Sequence, residues 1–562
     1  MPAADDTVAT MSFLDQILAQ LETAGDTVLL QEMRDSRPVP ATGRELLRMI
    51  AQARTFLAAQ GLKKGDRCAL LAHNSIRWAA MDLAIIAEGL IAVPLYGRQA
   101  PAELVTMMRD CSPALICCGD EALRAGVLEN WPDAPPQALF DAIFSTEIGA
   151  SSKTQITDSD PVTIIYTSGT SGDAKGVVLN AGGVGFILAA TSARLDLLVS
   201  NNPGQHDRQD RVYQYLPFCF GASWIALLTY LLRRSLVTLN TDLSKLSGEI
   251  RGAAPDYFLN VPALLERMRK AVDEQIWKTG GMVLGIYSRA KNAWIRRREG
   301  KSGLADTVWL GLANLLVFPA IRRKMIGSNL KALICGSAPL NVETQLYFMM
   351  LGIAVLQVYG LTETTGICTM DDPRRVVPGC VGPAVEGVEM KLGENDEIIV
   401  RGPNIFPGYW NRPQETAKAL RDGWFHTGDQ GEMDEAGNWR ISGRMKNLII
   451  LGSGHKITPE AIEEEMLRYL PGGSQIVLAG NGKGYLSALI TGSVTREQAQ
   501  AALDTVNLSL PHYKQIRAFH LHPELFSVDN GLLTVNGKLK RDAIAARLKE
   551  EIEALYQVKQ AS

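Results

Sequence analysis

The segment Tyr166-Thr-Ser-Gly-Thr-Ser-Gly-Asp-Ala-Lys175-Gly176 gathers hydroxyls, glycines and a lysine directly after the apolar run 162–165. The run reads as a buried strand, and the glycines let backbone N–H groups converge on one point. Thr167, Ser168, Gly169, Thr170, Ser171, Gly172 and Lys175 therefore form a loop suited to a polyphosphate. It is not a Walker A loop, which needs Gly-Lys-Ser/Thr in succession; here Lys175 lies between Ala174 and Gly176. The same composition also makes an ordinary hairpin tip, so the loop needs support from the rest of the chain.

The surrounding elements supply it. Leu46, Ile50, Ala53 and Leu57 recur at helical spacing, Gly65-Asp66 punctuates, and 68–72 is a short apolar run. A helix-like stretch at 78–88 leads to a strand-like one at 90–95. Repeated strand–helix–strand units predict an α/β chain with a mostly parallel sheet and helices on both faces. Residues 201–211 are polar and read as a loop, 212–216 as a strand and 224–232 as a buried helix. Two later strand-like runs, 330–335 and 354–358, end at Gly336-Ser337-Ala338-Pro339 and at Tyr359-Gly360-Leu361-Thr362-Glu363. Ligands of open α/β sheets gather at the carboxyl ends of strands, so three strand ends become candidate site loops.

From about Glu386 the texture changes to short β-like segments at 397–401, 423–427 and 438–442. Gly443-Arg444-Met445-Lys446-Asn447 follows, then 448–451 and the loop Gly452-Ser453-Gly454-His455. A helix is expected to open at Thr458-Pro459, with Thr as N-cap and Pro in the first turn. The rest reads as a small α+β unit.

With 562 residues, the chain calls for a large domain and one or two smaller ones. A net charge of −3 gives no reason to expect nucleic acid. The eight cysteines show no CxxC or Cys/His metal spacing, which suits a reducing cytoplasm better than a disulfide framework. The N-terminal MPAADDTVATMSF lacks the basic start and apolar stretch of a signal peptide. One segment stands apart: 278–325 holds ten basic residues against Glu299 and Asp306, with a largely apolar stretch at 308–321. That stretch is too short and interrupted to span a bilayer. A basic amphipathic insertion of this kind can lie on an anionic membrane surface, and it can equally pack on the main domain as a solvated excursion.

Together these segments resemble the adenylate-forming enzymes: acyl-CoA synthetases, firefly luciferases and the adenylation domains of peptide synthetases. The resemblance runs from about Thr42 to Arg541. Within that superfamily the chain is most similar to long-chain fatty acyl-CoA synthetases. The segments that carry this are Gly61-Leu-Lys-Lys-Gly-Asp66 with Val93-Pro-Leu-Tyr96, the basic insertion before Gly336, and 530–541. The resemblance implies a large N-terminal domain, 1–443, of mostly parallel sheets flanked by helices, plus a β-rich subdomain. It also implies a small mobile α+β C-terminal domain, 444–562, hinged near Lys446.

The implied reaction has two halves. A medium- to long-chain fatty acid attacks the α-phosphorus of ATP, giving acyl-AMP and pyrophosphate; CoA then takes the acyl group and AMP leaves. ATP, Mg²⁺ and CoA, the last as a substrate, are the implied ligands. By resemblance the 167–175 loop holds the β- and γ-phosphates, and Thr167 and Glu363 contact Mg²⁺, a hard cation suited to a carboxylate. Gly336, Ser337 and Ala338 form the adenine wall, Tyr359 stacks on the base beside Gly360, and Thr362 meets the α-phosphate. Asp429 accepts both ribose hydroxyls, Arg444 reaches the ribose, and Lys538 bridges the attacking carboxylate and the α-phosphate. Taken singly, Asp429 would read as a turn aspartate and Lys538 as a solvated lysine in a basic tail. By the same resemblance Lys446 is the hinge, Gly452 and Gly454 line the CoA tunnel and Phe220 shapes the acyl site; Trp224 is a candidate for the wall of the acyl pocket, although core packing is the commoner job of such a residue.

Three departures from the family pattern stand out: Ala174 where Pro is usual, Phe220 where a His is often found, and Asn447 where an acid is frequent. The alternative is an acyl-AMP ligase that loads a separate carrier protein. A non-catalytic relative would be expected to lack Lys538, Glu363 or Asp429, and all three are present. The expected setting is the cytoplasm, with peripheral contact at the inner face of a membrane through 278–325 as an option. A homodimer is also left open.

Overall fold

A computed structural model describes residues 11–34, 37–149, 154–167, 174–200, 209–534 and 537–557. The chain divides into two compact units. Described residues of the first fall within 11–167, 174–389 and 400–425; those of the second fall within 390–399 and 426–557.

The first unit is built on two large sheets. One has eight strands, and its interior neighbours, from Ala354–Tyr359 through Ala332–Cys335, Tyr257–Asn260, Arg211–Gln214 and Leu236–Leu239 to Val28–Arg34, pair in parallel. Tyr257–Asn260 and Ala332–Cys335 are buried at every position. That is why Ala332–Cys335 reads as a continuous apolar run and not as an alternating one. The second sheet has seven strands. Its parallel part contains Arg67–Ala72, Ile91–Tyr96, Leu115–Cys118 and Pro161–Thr167. Lys175–Asn180 and then Gly408–Tyr409 add to it antiparallel.

Helices cover these sheets, and their starts are set locally. Thr42 and Glu45 form a reciprocal cap at the helix Gly43–Ala58, which buries Leu46, Ile50, Ala53 and Leu57 as the spacing predicts. The expected buried helix spans Gly221–Leu232, three residues longer at its start than expected. The expected strand at 212–216 is Arg211–Gln214 and stops where the Leu216 carbonyl turns to accept from Asn74 and Ser223. The expected 201–211 loop lies largely outside the described residues. The helix containing Ala181–Val199 is long and apolar enough to cross a membrane, but it packs on Phe13–Ala24 and Gly221–Leu232 with Val184, Ile187, Leu188 and Leu195 buried.

The second unit is α+β. Strands Gln475–Ala479, Leu486–Thr491 and Ile516–His522 form its sheet. Helices Pro459–Tyr469 and Arg496–Asn507 close a core of Ile462, Met466, Leu478, Leu486, Ile490 and Leu503. Thr458 does occupy the N-cap position of Pro459–Tyr469, but it makes no side-chain cap. Its hydroxyl donates instead to Gln430 Oε1 at 3.1 Å, a tertiary bond that the local sequence gives no reason to expect.

All eight cysteines are free and buried. Burial pushes the Cys68, Cys111 and Cys118 thiols up to about 12, and raises those of Cys117, Cys219 and Cys335 as well.

Candidate active site

The opening loop joins two antiparallel strands, with Thr167 directly opposite Lys175 and Tyr166 opposite Gly176. Ser168, Gly169, Thr170, Ser171 and Gly172 lie outside the described residues. Lys175 is held on arrival: its Nζ stands 2.5 Å from Glu415 Oε2 and 5.4 Å from the centre of the Tyr409 ring. The hydrogen bond from Lys175 keeps the Glu415 carboxyl below its usual range.

Tyr409 ties this edge to Glu363. The strand Gly408–Tyr409 lies against Lys175–Asn180, with Tyr409 opposite Val177. Its hydroxyl donates to Glu363 Oε1 at 2.9 Å, and burial and then the Glu363 charge push the phenol pKa up. The Phe406 N–H donates to the Glu363 carbonyl at 2.9 Å. The short turn Thr362–Thr364 also packs on the strand that begins at Lys175. Glu363 and Lys175 thus share one sheet edge.

The loops expected to hold the base leave adjacent parallel strands, Ala332–Cys335 and Ala354–Tyr359. Two glycines are sterically required there. A Cβ on Gly336 would come within 2.5 Å of Val358 Cγ2, and one on Gly360 within 2.4 Å of the Gly366 carbonyl oxygen. Ser337 takes a left-handed conformation at φ 71°, and Ser337 and Ala338 are exposed. Tyr359 closes its strand half-buried. A Cβ on Gly221 would lie 3.4 Å from Thr362, so the start of Gly221–Leu232 abuts the Thr362 turn. Phe220, just before it, packs 5.8 Å from the Tyr96 ring. Trp224 is a core residue without exposed surface, and its Nε1 donates to Asp82 Oδ2 at 2.8 Å. Burial raises the Asp82 carboxyl to about 7.

In the second unit Asp429 and Arg444 are register partners on the strands Trp424–Met433 and Trp439–Arg444. Arg444 Nε meets Asp429 Oδ1 at 2.9 Å, and Asp429 is buried. The stretch of strand that presents Asp429 is fixed by its neighbours. Glu397 accepts from the Gly428 N–H at 2.9 Å and lies 2.7 Å from His426 Nδ1, while Thr427 Oγ1 donates to the Ile398 carbonyl at 2.7 Å. Lys446 follows closely. Burial and the positive charge of Arg444 lower its amine to about 8, against the opposing pull of Asp429 and Asp542.

Lys538 also acts on the Lys446 amine, which puts Asp429, Arg444, Lys446 and Lys538 in one electrostatic neighbourhood. Lys538 itself is exposed; its N–H donates to Thr534 Oγ1 and its carbonyl accepts from the Thr534 N–H. Three residues on, Arg541 ties this segment to Glu463 of the helix Pro459–Tyr469 at 2.7 Å. Asn447 Nδ2 donates to Glu460 Oε1 at 2.5 Å, and burial already raises the Glu460 carboxyl. An acid at 447 would set two carboxylates against each other, which accounts for the departure noted there.

Gly452 and Gly454 sit in the hairpin between Ile449–Ile450 and Lys456–Ile457. Gly454 has φ 83°, and a Cβ there would meet nothing within 4 Å. Its surroundings are open, and its conformation is what favours glycine.

Sequence reasoning passed over Tyr409, Glu415, Glu397 and His426. Two of them left a trace, since His426 directly precedes Thr427-Gly428-Asp429 and Glu397 is a charge inside an expected strand. Among the described residues no group of three or more His, Cys, Asp or Glu side chains could hold a metal ion. A site of one carboxylate and one hydroxyl, Glu363 and Thr167, fits Mg²⁺, which takes most of its oxygens from phosphate and water.

Comparisons with known proteins agree with this architecture. The chain is 27% identical over 579 residues to the long-chain-fatty-acid–CoA ligase FadD15 of Mycobacterium bovis, covering 94% of each chain. It is 25% identical to a chloroplastic long-chain-fatty-acid–[acyl-carrier-protein] ligase, AEE15 of Arabidopsis thaliana, covering 95% of this chain and 85% of that protein. In fold it is similar to O-succinylbenzoate coenzyme A synthetase of Bacillus subtilis, solved with ATP and magnesium. That likeness has a TM-score of 0.70 at 19% identity over 94% of this chain and 98% of the other. The family described as AMP-binding enzyme matches residues 19–410. That match takes in well over half of the sequence, and the chain belongs to the AMP-binding enzyme family.

Proposed function

We propose that this protein is an ATP-dependent fatty acid–CoA ligase acting on medium- to long-chain acids. The observation that carries the reading is the end-to-end likeness to a long-chain-fatty-acid–CoA ligase, 94% of both chains. The arrangement of charge supports it: a lysine and a carboxylate at one sheet edge, and an Asp–Arg pair with two lysines in the second unit.

In the first half-reaction a carboxylate oxygen of the fatty acid attacks the α-phosphorus of ATP, and the bond to pyrophosphate breaks. Both reactants are anionic, so the protein's work is neutralisation and alignment. Lys175 exchanges Glu415 for the outgoing phosphates, and Lys538 bridges the attacking oxygen and the α-phosphate. Asp429 and Arg444 hold the ribose, while Gly336, Ser337, Ala338, Tyr359 and Gly360 receive the base. Thr167 and Glu363 would hold Mg²⁺, which supplies Lewis-acid neutralisation of the phosphate oxygens when bound. In the second half-reaction the sulfur of CoA attacks the acyl carbon, AMP leaves with the bonding electrons, and the thiol proton passes to solvent. Gly452 and Gly454 admit the pantetheine arm, with Lys446 as the hinge between the two steps. Eight reduced, buried thiols support a cytoplasmic setting.

AMP release measured across fatty acids of graded chain length, with CoA or with a holo-carrier protein as acceptor, tests the reading. Release that needs both a long-chain acid and CoA is the expected result. Failure to exchange pyrophosphate into ATP with any fatty acid would overturn it. The second reading, transfer to a carrier protein, draws on the AEE15 likeness and predicts release with the carrier alone.

A further inference from the structure

The helix Leu304–Leu316 is apolar on two opposite faces. One face, Leu310 and Ala313 with Asp306, is buried, and the helix packs on Gly281–Arg298. The other carries Leu304, Val308, Gly311 and Leu315, spaced i, i+4, i+7 and i+11, and it points to solvent. Leu304 is 90% exposed, Val308 59% and Leu315 75%. An ordinary surface helix turns polar residues outward, so an apolar outer stripe marks a face that meets something. Trp277, Met282 and Leu316 on the same group of helices are exposed as well.

Charge says what it meets. Residues 278–325 hold ten basic and two acidic side chains in a chain of net charge −3. Both acids are already engaged, Asp306 by Arg296 and Glu299 by Lys301. Arg297, Arg298, Arg323 and Lys324, which precede and follow the apolar stripe in the sequence, remain exposed. Arg289 lies 4.8 Å from the Trp309 ring and Arg298 5.4 Å from the Trp294 ring, pairings of guanidinium and indole suited to a lipid headgroup layer. Two copies docked through this face would bring like charges together, which disfavours a self-contact.

Thirteen residues make a helix about 20 Å long, short of the ~30 Å hydrocarbon layer. The following helix, Phe318–Met325, is bent from it by about 40°. Arg322, in the last turn of that second helix, is tied back by Nη1 to the Leu351 carbonyl at 2.8 Å. The pair is therefore held against the body of the first unit.

We propose that Leu304–Leu316 lies flat in the interface of an anionic membrane, with Leu304, Val308 and Leu315 among the acyl chains and the flanking arginines and lysines on lipid phosphates. Binding itself does not depend on the ligase reading. Its purpose, collecting an apolar acid where that acid is dissolved, rests on it.

The test is sedimentation of the full-length protein, without ATP or fatty acid, with vesicles of phosphatidylcholine alone or mixed with phosphatidylglycerol. Binding to the mixed vesicles should be at least about tenfold tighter and should weaken with salt. Leu304→Ser/Val308→Ser/Leu315→Ser should lower it about tenfold or more with an unchanged melting curve. Arg297→Gln/Arg298→Gln/Arg323→Gln/Lys324→Gln, a variant that leaves Leu304, Val308 and Leu315 in place, should abolish the preference for anionic vesicles. Equal binding to both vesicle types, or a quadruple variant that keeps the preference, overturns the proposal. So does a triple variant that loses a dimer in solution but keeps its vesicle binding. Pyrophosphate exchange, measured separately without vesicles, reports failure of the ligase reading independently.

Discussion

The two units present their candidate chemistry in different ways. In the first, Lys175, Glu363, Gly336 and Gly360 stand at the ends of strands whose positions are set by two large sheets. There is no room for error around the two glycines, since a single added methyl at Gly360 would overlap the Gly366 backbone. In the second, Asp429, Arg444, Lys446 and Lys538 sit on turns and hairpins, held by ion pairs and hydrogen bonds, and Gly454 has open space around it. Shape fixes the glycine loops of the first unit, whereas charge holds the cluster of the second. A substitution that adds volume should hurt the first more, and one that removes charge should hurt the second more.

The largest expected effect is at Lys538. Lys538→Ala should slow adenylation by about 10²- to 10³-fold, the cost of one missing transition-state partner. Thioester formation from supplied acyl-AMP should stay near normal; if both half-reactions fall together, Lys538 does not act in the first one alone. Next comes the glycine pair. Gly360→Ala should cost about 2–3 kcal/mol in urea unfolding, from overpacking against backbone. Gly454→Ala should cost about 1 kcal/mol, from its positive φ alone. Equal costs would erase the contrast between the units.

A smaller effect is expected where charge reaches into the first unit. Tyr409→Phe removes the bond to Glu363 and should lower the adenylation rate about tenfold, ~1.4 kcal/mol, with the melting temperature little changed. The pH dependence of Lys446 is a further test. Its amine titrates near 8 when folded and at its ordinary, higher value when unfolded, so the unfolded chain binds more protons between these values. Folding stability should therefore gain a contribution as pH rises from about 8, and Lys446→Met should remove that gain in denaturant titrations. The smallest expected effect is at Glu415. Without its charge Lys175 is released, and Glu415→Gln should tighten ATP binding about threefold by calorimetry. Weaker binding would mean that Glu415 steers Lys175 toward the nucleotide instead of restraining it.

The strands that end in candidate loops were legible because their interiors are buried on both faces. The run expected at 330–335 is Ala332–Cys335, and that at 354–358 is Ala354–Tyr359. Polar strand ends were not legible. The strand expected to stop at 427 continues to Met433, carrying Gly428 and Asp429, because the ladder to Trp439–Arg444 continues past them. Tyr409 and Glu415 could not be found by spacing, since they reach Glu363 and Lys175 through pairing across more than forty residues in one case and over two hundred in the other. The outer stripe of Leu304–Leu316 was hidden for another reason: the segment reads as apolar, and only the packing tells which of its faces is left uncovered.

The burial of every cysteine has a consequence for a protein that carries an acyl-adenylate. Such a mixed anhydride acylates any thiolate it can reach, and attack requires the deprotonated sulfur. Cys219 adjoins Phe220 in the sequence, yet it is buried and its thiol is held protonated, as are those of Cys68, Cys111 and Cys118. The protein handles an activated acyl group without becoming its acceptor, and leaves the only competent sulfur to be the one that arrives from solution.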